Sequence, residues 1–565
     1  MTPNPPESCY RAIALDQAWR VASLLDRNPY SPARGSFSRA HWAWKFVDCP
    51  FPRMQEAVFS LSRLHDLAGG DNPFFRSPAV AEWIEWGFEY WTKLQHSSGA
   101  FDEAYPFEQS LAATAFTSLY AGLAFRDRRE NLSAALRGRI ERALLRAGEW
   151  LLANDETHGL LSNHLGAAAA ALELLARLFS REDFSRRARF FLERILENQS
   201  SEGWFREYDG ADIGYGTHGF AYVAIYRQMT GCERSLEALR RFARFLTYFV
   251  HPDGTIGGEY GSRNTEFYSP AGFEMMADRC PHSAAIALAM RRSLAERRAA
   301  GVYAMDGFNL LPMLSSMLLA LEAERPEGLL EDTAAPLPCE SAPFREYFAQ
   351  SGLWAINEPR FYAIVGLAKG GTVSVFDKAA RRQTARHAGL VVPWRGKLYT
   401  SQEETASPAV GWNEGRTEAT LESVPWRNLK SIVPGPWVFL AFRLFTLTFG
   451  RVPAVSRWVK RLLVRVLIRR RSRPPVIHRR TVRIAEAGRV AGAGVEVEDR
   501  LELPSGVEEV HALAQFTAIH MGSSLYCDAR SLAASPGPVV LRCRGTVRLR
   551  GRLDLSGAVW EKIED

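Results

Sequence analysis

A glycine turn that returns about every 50 residues constrains this chain more than any other feature. Ser97-Ser98-Gly99-Ala100-Phe101, His158-Gly159-Leu160-Leu161, Glu202-Gly203-Trp204-Phe205 and Asp253-Gly254-Thr255-Ile256 place their glycines 60, 44 and 51 residues apart. Over residues 54–324 apolar side chains recur at three- and four-residue spacing, as in Val80–Leu94, Leu111–Phe125, Ile140–Leu152, Ala167–Phe179, Ala188–Leu196, Leu236–Phe249 and Leu310–Leu321. Two helices and two loops fill such a period, so the repeat unit is a helical hairpin. Hairpins stack into a solenoid or close into a ring. In a ring, the loops before the second helix of each pair would share one rim, at the mouth of a central cleft.

The pattern changes near residue 325. Glu324-Arg325-Pro326-Glu327-Gly328 and Ala334-Ala335-Pro336-Leu337-Pro338 form a linker, followed by strand-length runs at Gly352–Ile356, Phe361–Leu367, Thr372–Phe376, Gly389–Pro393, Val495–Leu503, Glu508–Phe516, Val539–Cys543 and Thr546–Leu553. The expected fold is a multidomain one: an extension over 1–40, an N-terminal (α/α) toroid over 41–325, a linker over 326–344, and a C-terminal antiparallel β-sandwich over 345–565 with an insertion at 431–473.

The net charge of +7 is not spread evenly. Between Arg427 and Arg483 there are 15 Lys and Arg residues and no Asp or Glu, which leaves the rest of the chain net negative. A general nucleic-acid binder is not expected from that distribution. Trp437–Phe449 is largely apolar and too short to span a bilayer. Val455–Arg471 sets Arg457, Lys460, Arg461, Arg465 and Arg469 against Trp458, Val459, Leu462, Leu463, Val466 and Leu467, the profile of a helix lying in an anionic membrane interface. The alternative is a basic insertion packed on the sandwich, or a disordered loop. The seven scattered cysteines fit a reducing compartment, and the start Met1-Thr2-Pro3-Asn4-Pro5-Pro6 has no signal character. The expected location is cytoplasmic, peripheral at the inner membrane face.

Three polar loops carry the chemistry: Leu161-Ser162-Asn163-His164, Asp212-Ile213-Gly214-Tyr215-Gly216-Thr217-His218 and Gly261-Ser262-Arg263-Asn264. An amide, an imidazole, a phenol and a guanidinium suit removal of the C5 proton of a sugar acid. That step needs an offset for the carboxylate charge, a base at C5 and an acid for the departing O4. Asn163 and Arg263 can meet the carboxylate, His164 is a base near neutral pH, and Tyr215 can act as acid or base. Neither a metal nor a cofactor is called for. Asn264, His218, Tyr260, Trp204 and Tyr105 are candidate substrate contacts on the same rim, and Tyr268 is a candidate lining residue. His387 could reach the cleft, although a structural role suits it better. Asn163 also suits a plain helix N-cap with His164 in the first turn.

The Asn-His pair at a helix start, followed about 50 residues later by a Gly-Tyr loop, resembles the heparinase II/III and alginate lyase-like proteins. The resemblance implies a toroid followed by a β-sandwich, with Asn163 neutralising a uronate carboxylate and His164 and Tyr215 as base and acid. Arg263 resembles a substrate-binding arginine, and Lys369-Gly370-Gly371 resembles the start of the family's β-domain. The implied activity is β-elimination on an acidic polysaccharide, in the making or trimming of an exopolysaccharide. Uronyl C5-epimerisation shares the first step. A glycoside hydrolase is also open, since Asp102, Glu103, Glu207, Asp209, Asp212, Glu259 and Glu266 lie on rim loops. So is a non-catalytic glycan binder built on aromatic residues such as Trp83, Trp86 and Trp91.

Overall fold

The computed structural model describes residues 8–45, 47–156, 159–208, 210–429, 435–452, 455–456, 458–459, 473–485, 492–518, 522, 526–533 and 537–563. Its N-terminal part is built from α1 (Cys9–Leu24), α2 (Ala57–Asp66), α3 (Pro78–Leu94), α4 (Leu111–Arg128), α5 (Ala134–Ala153), α6 (Ser162–Phe179), α7 (Glu182–Glu197), α8 (Ile213–Thr230), α9 (Glu233–Thr247), α10 (Ala271–Met276), α11 (Pro281–Ala295) and α12 (Gly307–Ala323). The even-numbered helices form the inner ring. Each packs on the next, and α12 packs back on α2, so the array closes into a toroid. Position follows from sequence. Helices α4 and α6 are buried nearly all round, whereas outer α9 buries Leu236, Leu239, Phe242 and Leu246 and exposes Arg240 and Arg244.

The recurring turn has a steric cause. Gly203 has φ +105°, and a Cβ there would stand 2.4 Å from the carbonyl oxygen of Arg241 on the outer helix. Gln199, four residues earlier, donates to the carbonyls of Gly203 (2.6 Å) and Ala238 (2.9 Å). Gln95 makes the same pair of bonds to Gly99 (2.9 Å) and Ala143 (2.8 Å). This glutamine recurs in two of the four turns, and the glycine pattern alone did not reveal it.

Residues 8–40, expected as part of an N-terminal extension, pack into the ring. Helix α1 packs on α2 and α12, with Tyr10, Ala14, Ala18 and Val21 buried; the Tyr10 hydroxyl donates to Glu274 (2.7 Å), and Arg20 to the Val302 carbonyl (3.1 Å).

Among the described residues the C-terminal part has three antiparallel sheets. The first, in order, is β1 (Phe344–Phe348), β2 (Leu353–Asn357), β3 (Phe361–Gly366), β4 (Thr372–Asp377) and β5 (Arg382–His387). Also present are β6 (Gly389–Trp394), β7 (Lys397–Thr400), β8 (Val410–Trp412), β9 (Glu418–Leu421), β10 (Arg427–Asn428), β11 (Ile477–Ala485), β12 (Gly494–Glu502), β13 (Glu509–Leu513), β14 (Val539–Arg542), β15 (Thr546–Asp554) and β16 (Gly557–Ile563). They pair as β10-β7-β6-β13-β14 and β8-β9-β11-β12-β15-β16. The first sheet is buried on both faces. Leu353, Ala355, Tyr362 and Ile364 join the toroid core, while Trp354, Ile356, Ala363 and Val365 join the sandwich core.

The basic stretch is not one structural unit. Its start holds α13 (Pro436–Leu447), the proposed helix Val455–Arg471 lies mostly outside the described residues, and its end is the sheet strand β11. In β11, Arg480 is fully buried. It donates to both oxygens of Asp499 (2.6 and 2.8 Å) and to the carbonyls of Gly370 (2.7 Å) and Gly371 (3.1 Å). Burial pushes the Asp499 carboxyl up, but Arg480 and His478 outweigh it and hold the group well below the usual carboxylate range. Removing the cation strands a buried carboxylate, so Arg480→Leu should cost ~3–5 kcal/mol of stability. Denaturant unfolding measures this, and a loss under ~1 kcal/mol would contradict the assignment.

Candidate active site

The starts of the inner helices meet at one rim, where a cavity of about 270 Å³ opens. Its walls come from Arg53 before α2, Glu103 and Glu108 before α4, the first turns of α6 and α8, the Arg263 loop, Asn309 at the start of α12, and Tyr526 of the C-terminal part. Helix N-termini gathered in this way favour negative charge.

Asn163, His164, Tyr215, His218 and Arg263 all line this cavity. Asn163 is not the N-cap of α6. It sits in the first turn, and the Glu207 carboxylate accepts its backbone N–H (3.0 Å). The Asn163 Oδ1 accepts from the His164 N–H (2.9 Å), which leaves the amide nitrogen to offer a bound molecule. His164 Nδ1 lies 2.7 Å from Glu156, whose side chain is almost wholly buried. A histidine that donates Nδ1–H to a carboxylate presents Nε2 as its basic nitrogen. Glu156 was missed in the sequence because it precedes the helix by a full loop.

Tyr215 is placed by Asp212, the N-cap of α8. One Asp212 oxygen accepts from the Tyr215 N–H (3.0 Å) and the Thr265 hydroxyl, and the other accepts from the Arg263 N–H (2.8 Å). Gly216 admits Phe242 beside the tyrosine, since a Cβ there would meet that ring at 2.6 Å. The Arg263 guanidinium carbon lies 3.4 Å from the Tyr215 ring centroid and 5.0 Å from that of Tyr208. Its Nη1 is 3.4 Å from Glu207. The Arg263 guanidinium thus already has the tyrosine face and Glu207 as partners, while its buried Nε has no hydrogen-bond partner among the described residues. His218, one turn on, packs against Phe267 and Tyr222. Desolvation, then the charges of Arg53 and Arg263, push its pKa down to about 3, so it is neutral at physiological pH.

Other expected contacts lie elsewhere. Tyr260 is buried and bonded to His251 (2.8 Å), Trp204 is buried and bonded to Glu202 (2.9 Å), and Tyr268 stacks on Phe273 in the toroid core. The Asn264 amide meets Gln402 at 2.9 Å and Thr517 at 2.7 Å. Of these, Asn264 and Tyr260 face the sandwich, through Gln402 and Thr517 and beside Gly366, whereas Trp204 and Tyr268 belong to the toroid core. Tyr105 sits on the rim loop but packs edge-on against Phe442. His387 is buried against Trp560, Trp91 stacks on Phe101, and Trp83 and Trp86 lie beneath Arg27 and Arg34. Of the carboxylates considered for hydrolysis, Glu103 lines the cavity, and Asp209 lies outside the described residues.

Sequence reasoning also missed Arg53, Tyr208 and Tyr222. Tyr222 follows His218 at helical spacing and was open to discovery. Arg53 sits in the short 3-10 segment Pro52–Glu56, which has no periodicity; it is 2.8 Å from Glu56 and its guanidinium carbon lies 4.3 Å from the Phe116 centroid.

Sandwich side chains hold the Arg263 loop. Buried Lys369 donates to the Ser262 carbonyl (3.0 Å) and pairs with Glu404 (3.2 Å). Arg386 pairs with Glu259 and Glu266, and Arg530 reaches Glu266 (3.3 Å) and the Gly257 carbonyl (3.1 Å).

Residues 47–304 match the family described as Ulvan lyase N-terminal domain. Among solved structures, a mutant chondroitin AC lyase of Streptomyces coelicolor A3 superposes with TM-score 0.50 at 10% identity, covering 91% of this chain and 69% of that one. Heparinase III does so with TM-score 0.50 at 11% identity, covering 90% and 73%. At such identities the likeness speaks for the fold: a helical toroid followed by an antiparallel sandwich. By sequence, no curated protein matches the chain at a significant level. The chain is thus similar to polysaccharide lyases of the heparinase-like kind, in sequence over residues 47–304 and in fold over most of its length.

Glu207 links the start of α6 to Arg263. Desolvation, opposed by Arg263, pushes its pKa up to about 8 from an ordinary 4.5. The folded chain thus keeps a proton that the unfolded chain has released. The stability this contributes is full below pH 4.5 and is lost as pH rises to about 8. The thermal midpoint of the native protein, relative to Glu207→Gln, should fall across that window. Parallel curves would mean that Glu207 is ionised throughout.

Proposed function

We propose that this protein cleaves a uronate-containing polysaccharide by β-elimination. The observation that carries the reading is the convergence of Asn163, Glu156-oriented His164 and Arg263-covered Tyr215 in one cavity. The uronate carboxylate is received by the Asn163 amide, with the Arg53 cation in the same cavity wall, which lowers the cost of a second negative charge at C5. His164 Nε2 takes the C5 proton, the C5–H electron pair forms the C4–C5 double bond, and the C4–O4 bond breaks. Tyr215 gives its proton to the departing O4, and Arg263 over its ring stabilises the negative charge that develops on the phenol oxygen. The products are a new non-reducing end bearing a conjugated alkene and a free hydroxyl end.

Ulvan, chondroitin and heparin, the polymers named for the similar proteins, make a natural substrate panel beside the host's own acidic exopolysaccharide. Tyr215→Phe should lower turnover by roughly 100- to 10,000-fold with an unchanged unfolding curve. Near-normal turnover in that variant would sink the mechanism. Ultraviolet absorbance of the products tests the class. Reducing ends without absorbance would mean hydrolysis, and deuterium at C5 without shortening would mean epimerisation. Hydrolysis has little support here: among the described cavity residues, Glu103 and Glu108 share one loop, and Glu108 is engaged by the N–H groups of Glu103 (3.3 Å) and Ala104 (2.7 Å).

The work is further assigned to the inner face of the cytoplasmic membrane, in exopolysaccharide production. Helix α13 supports this. Trp437, Val438, Leu440 and Leu444 are 51–79% exposed, and the sequence beyond is basic without an acidic residue. No helix among the described residues is long and apolar enough to cross a membrane. Helix α13 also borders the site, through Phe442 on Tyr105 and Arg443 on Asp48 (2.6 Å). Binding to anionic vesicles in flotation should weaken with salt and vanish when residues 431–473 become a Gly/Ser linker. Equal flotation of that variant would refute this attachment.

A further inference from the structure

The outer face of the β8-β9-β11-β12-β15-β16 sheet carries an arrangement that ordinary sheet energetics disfavours. Arg479 of β11 stands opposite Arg500 of β12, and Arg500 opposite Arg548 of β15. Like charges directly opposite one another across strands are destabilising. Arg479 is relieved by Glu422 (2.6 Å) and Arg548 by Glu498 (2.7 Å). Arg500, exposed between them, has no ion pair among the described residues. The row borders a depression of about 400 Å³ that also includes Thr420, Thr481 and Thr546. The buried face of the same strands holds Val482, Val497, Leu501, Val547 and Leu549, so the apolar positions are spent on the core and the outward ones are free to be charged.

We propose that this face is a second binding site for the acidic polysaccharide, separate from the catalytic cavity. The substrate class rests on the elimination reading given above. Arg479 and Arg548 are two strand spacings apart, roughly 10 Å, comparable with the length of a disaccharide, so carboxylates or sulfates on alternate sugars can meet these two outer guanidiniums, with Arg500 between them facing the intervening sugar. The threonine hydroxyls beside them suit sugar hydroxyls. Glu418, Glu496 and Glu498 alternate with Arg483, Arg550 and Arg552 in the neighbouring rows, which suits spaced charges and repels the continuous charge ladder of a nucleic acid. The absence of large apolar groups among the depression-lining residues separates this face from α13 and from bilayer contact. Two sites on one chain raise the local concentration of polymer at the cavity without changing the chemistry there.

The test uses the full chain. In a Tyr215→Phe background, which leaves the polymer intact, affinity for a long polyuronate should fall roughly tenfold in Arg479→Ser/Arg500→Ser, with a flatter salt dependence. Arg479→Lys/Arg500→Lys should retain most of the affinity. With native Tyr215, the serine pair should raise KM for the polymer while leaving kcat and KM for a cavity-length oligosaccharide unchanged. Unaltered polymer affinity in the serine pair overturns the site and leaves the elimination reading standing. Lost oligosaccharide turnover, or loss of vesicle binding in place of polymer binding, overturns it too. Failure of the native protein to yield ultraviolet-absorbing product from any polyuronate strikes the elimination reading instead, whatever the binding result.

Discussion

The grip of the sandwich on one toroid loop underlies the rest of this structure. Residues 257–266 belong to the helical domain by sequence, yet Lys369, Arg386, Gln402, Thr517 and Arg530 supply many of their polar partners. Lys369 and Arg386 are buried, so these bonds are made out of reach of competing water and would be costly to leave half-made. Through Asp212 the held loop sets the start of α8, and through Glu207 the start of α6. The cavity geometry is thus a property of the domain interface. A toroid without the sandwich would lose the template for Arg263.

That dependence explains which residues were legible in the sequence. Asn163, His164, Tyr215 and His218 could be found because they open helices whose periodicity is plain, and the first turn of an inner helix has to face the rim. Arg263 was found for its place in a polar loop, but its stack on Tyr215 left no local pattern, since it is a contact between segments about 50 residues apart. Tyr260 and Asn264 were read as open to ligand and are buried, for one shared reason. A loop reads as solvent-facing until the second domain covering it is in place, and no local pattern records that cover. Glu156 and Arg53 sit outside regular elements and left no spacing to read.

The fold was legible wherever one face of an element meets water. Amphipathic outer helices and alternating strands declare themselves; helix α1 was passed over because its buried stripe is mostly alanine. The Arg479-Arg480 pair shows the limit from the other side. In β11 one arginine faces solvent and its neighbour is fully buried on Asp499, a strand alternation hidden behind identical chemistry. Counting charges merged this strand with the basic stretch before it, although the two parts do different work.

The alanine run of α6 has a further consequence. Ala167, Ala168, Ala169, Ala170 and Ala171 are wholly buried, and their small side chains let α4, α6 and α8 draw together around a filled centre. The ring therefore has no bore. A polymer cannot be threaded through it and hauled past the scissile position like a rope through a pulley. On the proposed activity, the polymer would settle across the rim from the side and depart the same way, so each cut would require a fresh landing or a slide along the surface, and bulky branches away from the landing point would never pass a constriction.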